Sequence, residues 1–240
     1  MPRKLSDFDV LTFDCYGTLI DWETGFWDAL QPLLMANGTD AITREKALTT
    51  IAKIESAHQA KTPGLRYDHV LERVHRDVAE EFNLTTTPEL DADFGASLPH
   101  WPAFPDAADA LRQLKKRYRL VILSNVHRDG FAASNRKLGV EFDAIYTAED
   151  IGSYKPTPRN FEYMLEHLAE DFGTKPDRIL HVAQSLFHDH VQARAFGLAN
   201  AWIDRQHLRD GGSWGATAVV EERPEFDFHF PTLAALVESI

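Results

Sequence analysis

The chain has 240 residues and a formal net charge of −12, from 25 Lys and Arg against 37 Asp and Glu. That balance argues against nucleic acid as a partner, since phosphate backbones attract a basic stripe, and a hydrophobic content of 44% argues against disorder. No run approaches the roughly 18 apolar residues of a membrane span, and the first residues lack the apolar stretch of a signal peptide, so a cytoplasmic protein is expected.

The length suits one α/β domain with an insertion, or two small domains. Cys15 is the only cysteine, so neither an internal disulfide nor a cysteine metal cluster is expected. The first element is the apolar run Val10-Leu11-Thr12-Phe13, too short for a helix before Gly17 breaks the pattern, and it predicts a buried strand. Asp14 ends it. A carboxylate at the carboxyl end of a buried parallel strand lies where open α/β sheets bind ligands. Gly17 permits a tight turn behind it, and Thr18 offers a hydroxyl to hold the carboxylate. An Asp so placed can attack an electrophilic centre and form a covalent ester; the plainer alternative is a surface Asp in a strand-to-loop turn. Strand alternation turns Cys15 to the other face as a packing residue, although a thiol beside Asp14 could make activity sensitive to alkylation.

From about residue 22 to 98 strong strand runs are absent and the pattern is helical. Ala47-Leu48, Ile51, Ile54-Glu55 and His58 recur near a 3.6 period, with Thr43 as N-cap and Pro63-Gly64 as the stop. Val70, Leu71, Val74, Val78 and Phe82 repeat it. Trp22, Phe26 and Trp27 read as packing aromatics ahead of a halide cradle, and Glu55 and His58, one turn apart, as a surface pair first and a pocket pair second. The proline-rich segment Pro99 to Pro105 reads as a hinge or return linker. Beyond it, helix (Asp106 to Arg117, Arg159 to Phe172) alternates with strand (Leu120 to Leu123, Ala144 to Tyr146, Ile179 to Ala183, Asn200 to Ile203), and Gly211-Gly212 marks a late loop. Such alternation predicts a parallel sheet wrapped by helices. The expected organisation is an α/β core from residues 1–20 and 99–240 and a helical cap from residues 21–98.

Four polar groups follow strands or sit in connecting loops: Asp14; Ser124 and Asn125; Lys155; and Gln184, Ser185 and Asp189 with His188 between them. Strand ends meet at one sheet edge, so these residues can converge. Taken singly, each has a plainer reading as a cap, a turn or a solvated side chain.

In this order the motifs resemble those of the haloacid dehalogenase-like hydrolase superfamily, over nearly the whole chain. Phe13-Asp14-Cys15-Tyr16-Gly17-Thr18-Leu19, Ile122-Leu123-Ser124-Asn125, Tyr154-Lys155-Pro156 and Trp202-Ile203-Asp204-Arg205 are most similar to the type II haloacid dehalogenases. The resemblance implies a Rossmann-like parallel sheet with a helical cap inserted after the first strand. It also implies hydrolysis of short 2-haloacids to 2-hydroxy acids through an ester on Asp14, without metal or other cofactor. By the same resemblance Lys155 keeps Asp14 ionised, Asp189 orients Lys155 or the hydrolytic water, and Ser124 and Thr18 hold carboxylates. Cys15, Tyr16, Asn125, Gln184, Ser185 and His188 are the candidate substrate contacts. A homodimer is the analogy for assembly.

Two departures from the phosphatase branch support that choice. Tyr16 stands where phosphatases carry the Asp that protonates the leaving group, and Gln184 stands where they carry a Mg²⁺ ligand. One departure opposes it. The resemblance implies a cap Arg near Thr49-Thr50 that grips the substrate carboxylate, and between Arg44 and Arg66 only Lys46, Lys53 and Lys61 are cationic. The Asn expected shortly before Asp189 is also missing from Leu186-Phe187-His188. A Mg²⁺-dependent phosphatase and a catalytically silent binding protein are the competing readings.

Overall fold

The computed structural model describes residues 3–212, 220 and 223–240. Six strands, β1 (Val10–Phe13), β2 (Arg119–Ser124), β3 (Ala144–Thr147), β4 (Ile179–Ala183), β5 (Ala199–Ile203) and β6 (Phe228–Phe230), form one sheet in the order β3-β2-β1-β4-β5-β6. Every pairing is parallel. The chain winds outward from β1 in one direction and from β4 in the other, so the crevice between them is the point where open sheets of this kind take ligands. Phe13 is in register with Ile122 on one side and Val182 on the other.

Both faces of the central strands are buried, which explains their unbroken apolar runs. Alternation divides them between two cores. Leu11, Phe13, Leu120, Ile122, Leu180 and Val182 pack in one large cluster that also contains Leu111 and Leu114 of α5 (Ala107–Leu114), Phe131 and Leu138 of α6 (Arg128–Leu138) and Leu236 of α10 (Leu233–Glu238). Val10, Val121, Leu123 and Ile179 face the other way, onto Phe161, Met164 and Leu168 of α8 (Pro158–Phe172). The short helices α7 (Ala148–Ile151) and α9 (Val191–Ala195) complete the wrapping.

Between β1 and α5 the chain forms four helices: α1 (Trp22–Ala36), α2 (Arg44–Lys61), α3 (Tyr67–Glu81) and α4 (Pro88–Gly95). Thr43 caps α2 as anticipated, accepting from the Lys46 N–H at 3.3 Å. Asp21 caps α1 and Thr87 caps α4, which opens on Pro88. The proline-rich return segment is not a free linker. Asp21 N–H donates to Pro102 O at 2.8 Å and Phe104 N–H to Leu19 O at 3.0 Å, so the two chain passages into and out of the four helices run paired. Trp101 within that segment is buried and packs edge-on against Phe26, with ring centroids 4.5 Å apart.

Helix α6 and a π-helical turn over Leu186–His190 carry too few apolar residues at a clear period to be anticipated, and strand β6 and helix α10, though apolar, are too short to show one. The anticipated loop at Gly211-Gly212 is present, with Gly211 at φ +89°. Among the described residues, no helix is long and apolar enough to cross a membrane.

Candidate active site

Asp14 lies one residue beyond β1, its N–H donating to Val182 O at 3.1 Å, which continues the ladder and fixes the side chain at the sheet edge. Gly17 then turns the chain at φ +99°; a Cβ there would stand 2.9 Å from the Trp22 indole nitrogen, so the turn requires glycine. The turn brings Thr18 back under Asp14. Its hydroxyl donates to Asp14 Oδ2 at 2.8 Å and accepts from the Gln184 N–H at 2.9 Å, tying the first strand's loop to the fourth's.

Lys155 enters from the loop before α8 and is 2% exposed. Its Nζ donates to Asp14 Oδ1 at 3.0 Å, to Asp189 Oδ1 at 2.7 Å and to Leu123 O at 2.9 Å. An ammonium has three hydrogens, and all three are engaged. The π-helical turn carries Asp189 inward, fully buried, where Oδ1 also meets His181 Nε2 at 2.9 Å and Oδ2 has no protein partner. His181 Nδ1 lies 2.8 Å from the Thr12 hydroxyl, so the cluster is braced from within the sheet.

Burial raises the Asp14 carboxyl above its ordinary pKa, and the opposing pull of the Lys155 ammonium and Thr18 does not fully offset it. Asp189 moves the other way. Burial works against ionisation there too, but Lys155 and His181 outweigh it and hold the carboxyl well below the carboxylate range. The two carboxylates keep Lys155 charged despite its burial. Asp189 is therefore the firmer counter-ion, and Asp14 is the more basic, more nucleophilic carboxylate.

A cavity opens over this cluster. Of the anticipated residues, Asp14, Tyr16, Asn125, Lys155, Gln184, Ser185, His188 and Asp189 line it. Thr18 lies beneath, in contact with Asp14. Two do not take part as anticipated. Cys15 is enclosed in the apolar core with no exposure, because alternation turns it away from Asp14's face. Ser124 is buried with its hydroxyl unpartnered, and holds no carboxylate. Asn125 is engaged by its neighbours: Oδ1 accepts from Lys155 N–H at 2.7 Å and Nδ2 donates to Lys155 O at 3.0 Å, a clamp on the lysine's backbone. The Tyr16 hydroxyl bonds with Ser134 Oγ at 2.9 Å, and burial pushes its phenol well above the ordinary range. His188 pairs with Ser185 at 3.0 Å and burial lowers it to about 4, so it is neutral. His190 is fully buried and bonds to Ala183 O.

Residues that sequence reasoning placed elsewhere supply the opposite wall. Trp22 and Phe26 of α1 line the cavity as well as packing together, whereas Trp27 does not. Glu55 and Gln59 of α2 and Tyr67 of α3 line it too. The surface pairing of Glu55 with His58 is not observed. His58 faces outward to Asp77 at 2.7 Å, and Glu55 points in. The i,i+4 spacing of Glu55 and Gln59 was the available signal, but it is shared by any solvated helix face. Among the described residues, no group of three or more His, Cys, Asp or Glu is arranged to hold a metal ion.

A doubly wound α/β fold, with a carboxylate–ammonium–carboxylate cluster where its strand order reverses, defines the class. The chain belongs to the haloacid dehalogenase-like hydrolase family, whose family model matches residues 8–183. It is 27% identical over 202 residues to (S)-2-haloacid dehalogenase 4A of Burkholderia cepacia, an alignment covering 81% of this chain and 82% of that one. Its fold is similar to that of the L-2-haloacid dehalogenase of Xanthobacter autotrophicus solved with chloropropionic acid covalently bound, with a TM-score of 0.75 at 19% identity, over 96% of this chain and 97% of the other. It is also similar to a HAD-hydrolase of Bacillus subtilis bound to magnesium, with a TM-score of 0.74 at 19% identity, over 96% and 97% of the two chains. The same fold is thus found with magnesium bound in one neighbour and with a covalently bound acid in another.

Proposed function

We propose that the protein is a metal-independent hydrolase that cleaves a carbon–halogen bond next to a carboxyl carbon, the class of short 2-haloacids that its relatives' names give. The observation that carries this reading is the Asp14–Lys155–Asp189 cluster with Tyr16 and Gln184 on its walls. An Asp14 oxygen attacks the carbon bearing the halogen. The carbon–halogen bond breaks, halide leaves with its electron pair, and an ester joins the substrate to Asp14. Water then adds to the Asp14 carbonyl carbon, and the unpartnered Asp189 Oδ2 is placed to orient it by accepting a hydrogen bond. The ester's acyl bond breaks, the alcohol oxygen takes up a proton, and Asp14 is regenerated. The balance is one water consumed and one halide, one proton and one hydroxylated product released.

Halide needs no proton to leave. The Tyr16 phenol, held by Ser134 and shifted well above its usual range, is a poor acid for any other leaving group. Gln184 stands uncharged on the cavity wall, where a hard cation would prefer a carboxylate. This favours the dehalogenase over the phosphatase reading. Helices α1 to α4 act in this scheme as the cap over the reacting carbon.

The test is halide release from 2-chloropropionate, bromoacetate and their amides in EDTA, with Asp14→Asn as control. Release that vanishes in the variant is expected. A single turnover in H₂¹⁸O should place the label in Asp14; label appearing in the first-turnover product instead would mean direct attack by water and would overturn the ester.

A further inference from the structure

The wall facing Asp14 has an acidic group where a carboxylate substrate would require a cation. Glu55 Oε1 accepts from the Tyr67 hydroxyl at 2.6 Å and from Gln59 Nε2 at 2.9 Å. Both bonds fall on the same oxygen and leave Oε2 to the cavity. Gln59 Oε1 in turn accepts from Asn125 Nδ2 at 3.3 Å, so Glu55 is joined through α2 to the loop that clamps Lys155. The carboxyl is a braced part of the wall.

Cations are otherwise engaged. Among the described residues lining the cavity Lys155 is the one Lys or Arg, and its three hydrogens are taken by Asp14, Asp189 and Leu123. Arg66 is held by Asp68 at 2.6 Å and Arg44 reaches Thr24 at 3.0 Å, and neither lines the cavity. His188 is neutral. With Glu55 ionised, a substrate carboxylate would lie between it and Asp14 with no donor of opposite charge, a repulsive placement in a water-poor site.

Resting on the dehalogenase reading above, we propose that Glu55 selects the substrate and makes the short α-halogenated primary carboxamide a better substrate than the free α-haloacid of the same chain. An amide offers an N–H to Glu55 Oε2 and is uncharged, so nothing opposes its approach to Asp14. Its carbonyl keeps the neighbouring carbon reactive toward displacement, as a carboxyl group would, which an alkylammonium of the same size does not. A proton on Glu55 would let Oε2–H donate to an amide carbonyl and to a carboxylate alike, so the discrimination belongs to the ionised form. Trp22, Phe26 and Ala52 supply the apolar patch for the halogen. The product is the 2-hydroxyamide, with water consumed and halide and a proton released as before.

The test uses the full chain with matched pairs, bromoacetamide with bromoacetate and 2-chloropropionamide with 2-chloropropionate, following halide over many turnovers with Asp14→Asn as blank. The expected result at pH 8, with Glu55 ionised, is a kcat/KM at least about tenfold higher for each amide, the ratio narrowing toward pH 5. Glu55→Gln keeps the shape and removes the charge, and should raise kcat/KM for the acids and narrow the ratio. Tyr67→Phe, which removes one brace from Glu55, should raise KM for the amides more than it lowers kcat. Acids turned over as fast as amides by the unaltered protein, or a ratio that Glu55→Gln leaves unchanged, would overturn the role of Glu55 while leaving the dehalogenase reading intact. Absence of Asp14-dependent halide release from all four compounds would overturn the dehalogenase reading, and the amide preference with it.

Discussion

Lys155 is the residue on which the site's electrostatics turn. Buried with both carboxylates, it neutralises part of a charge cluster that would be costly to leave unpaired. Lys155→Met should cost about 3–5 kcal/mol in urea unfolding at neutral pH. The deficit should shrink toward pH 4, because Asp14 and Asp189 can then take up protons instead of remaining as unpaired charges. Glu55 gives a second pH signature. Burial pushes it up to about 7 from 4.5, with the Tyr67 and Gln59 hydrogen bonds opposing. A carboxyl raised in the folded state binds its proton more tightly there than in the unfolded chain. Its contribution is therefore most favourable at low pH and is lost as pH rises from about 4.5 through 7. Glu55→Gln should remove that slope, so the variant's Tm should exceed that of the parent by more at pH 8 than at pH 5.

At the scale of elements, the site depends on how α1 is seated. Gly25 of α1 lies against Trp101; a Cβ there would stand 2.3 Å from the indole Cγ. Trp101 has little freedom to yield, being packed on Phe26 and Tyr16 and donating through Nε1 to Ser97 Oγ at 3.0 Å. Gly25→Ala gains about 1 kcal/mol of helix propensity but overpacks a closed contact, and the net result should be a loss of about 1–2 kcal/mol in denaturant unfolding. Tyr16 and Trp22 line the cavity and move with this seam, so kcat/KM should fall as well. The π-helical turn after β4 is a second such device. It departs from regular α-helical winding between Leu186 and His190, and it sends Asp189 inward while His188 faces the cavity.

Across the whole molecule, one apolar cluster runs from the sheet into the four inserted helices, from Phe13 and Ile122 to Leu30, Ile51 and Val70. Bonds also bridge the two parts, among them Tyr154 Oη to Leu65 O at 2.5 Å. Cys15 lies inside that cluster with no exposure, and burial pushes its thiol far above the ordinary range. The single thiol should therefore be inert to an aromatic disulfide reagent in the native protein and react fully in guanidinium, reporting on unfolding of the core. Rapid reaction in the native state would mean that the core opens locally. The sensitivity to alkylation anticipated from Cys15 standing beside Asp14 should be weak for the same reason.

Much of this protein could be read along the chain. Runs of apolar residues at Val10–Phe13, Leu120–Leu123 and Ile179–Ala183, separated by helical periods, dictate a parallel sheet, and a parallel sheet brings all its carboxyl ends to one edge. Asp14, Lys155 and Asp189 could thus be assembled from their places after strands and in loops. Tertiary structure alone decided how the charges are shared: that Asp189 takes the closer bond to Lys155, that no hydrogen of the ammonium is left for a substrate, and that Asn125 clamps the backbone. It also decided that Glu55 faces a cavity and not packed core. Glu55 falls in the same 3.6 period as Leu48 and Ile51, but the period does not say what that stretch of α2 meets. That depends on contacts with chain more than sixty residues away, such as Asn125 against Gln59, and a local pattern carries no record of them.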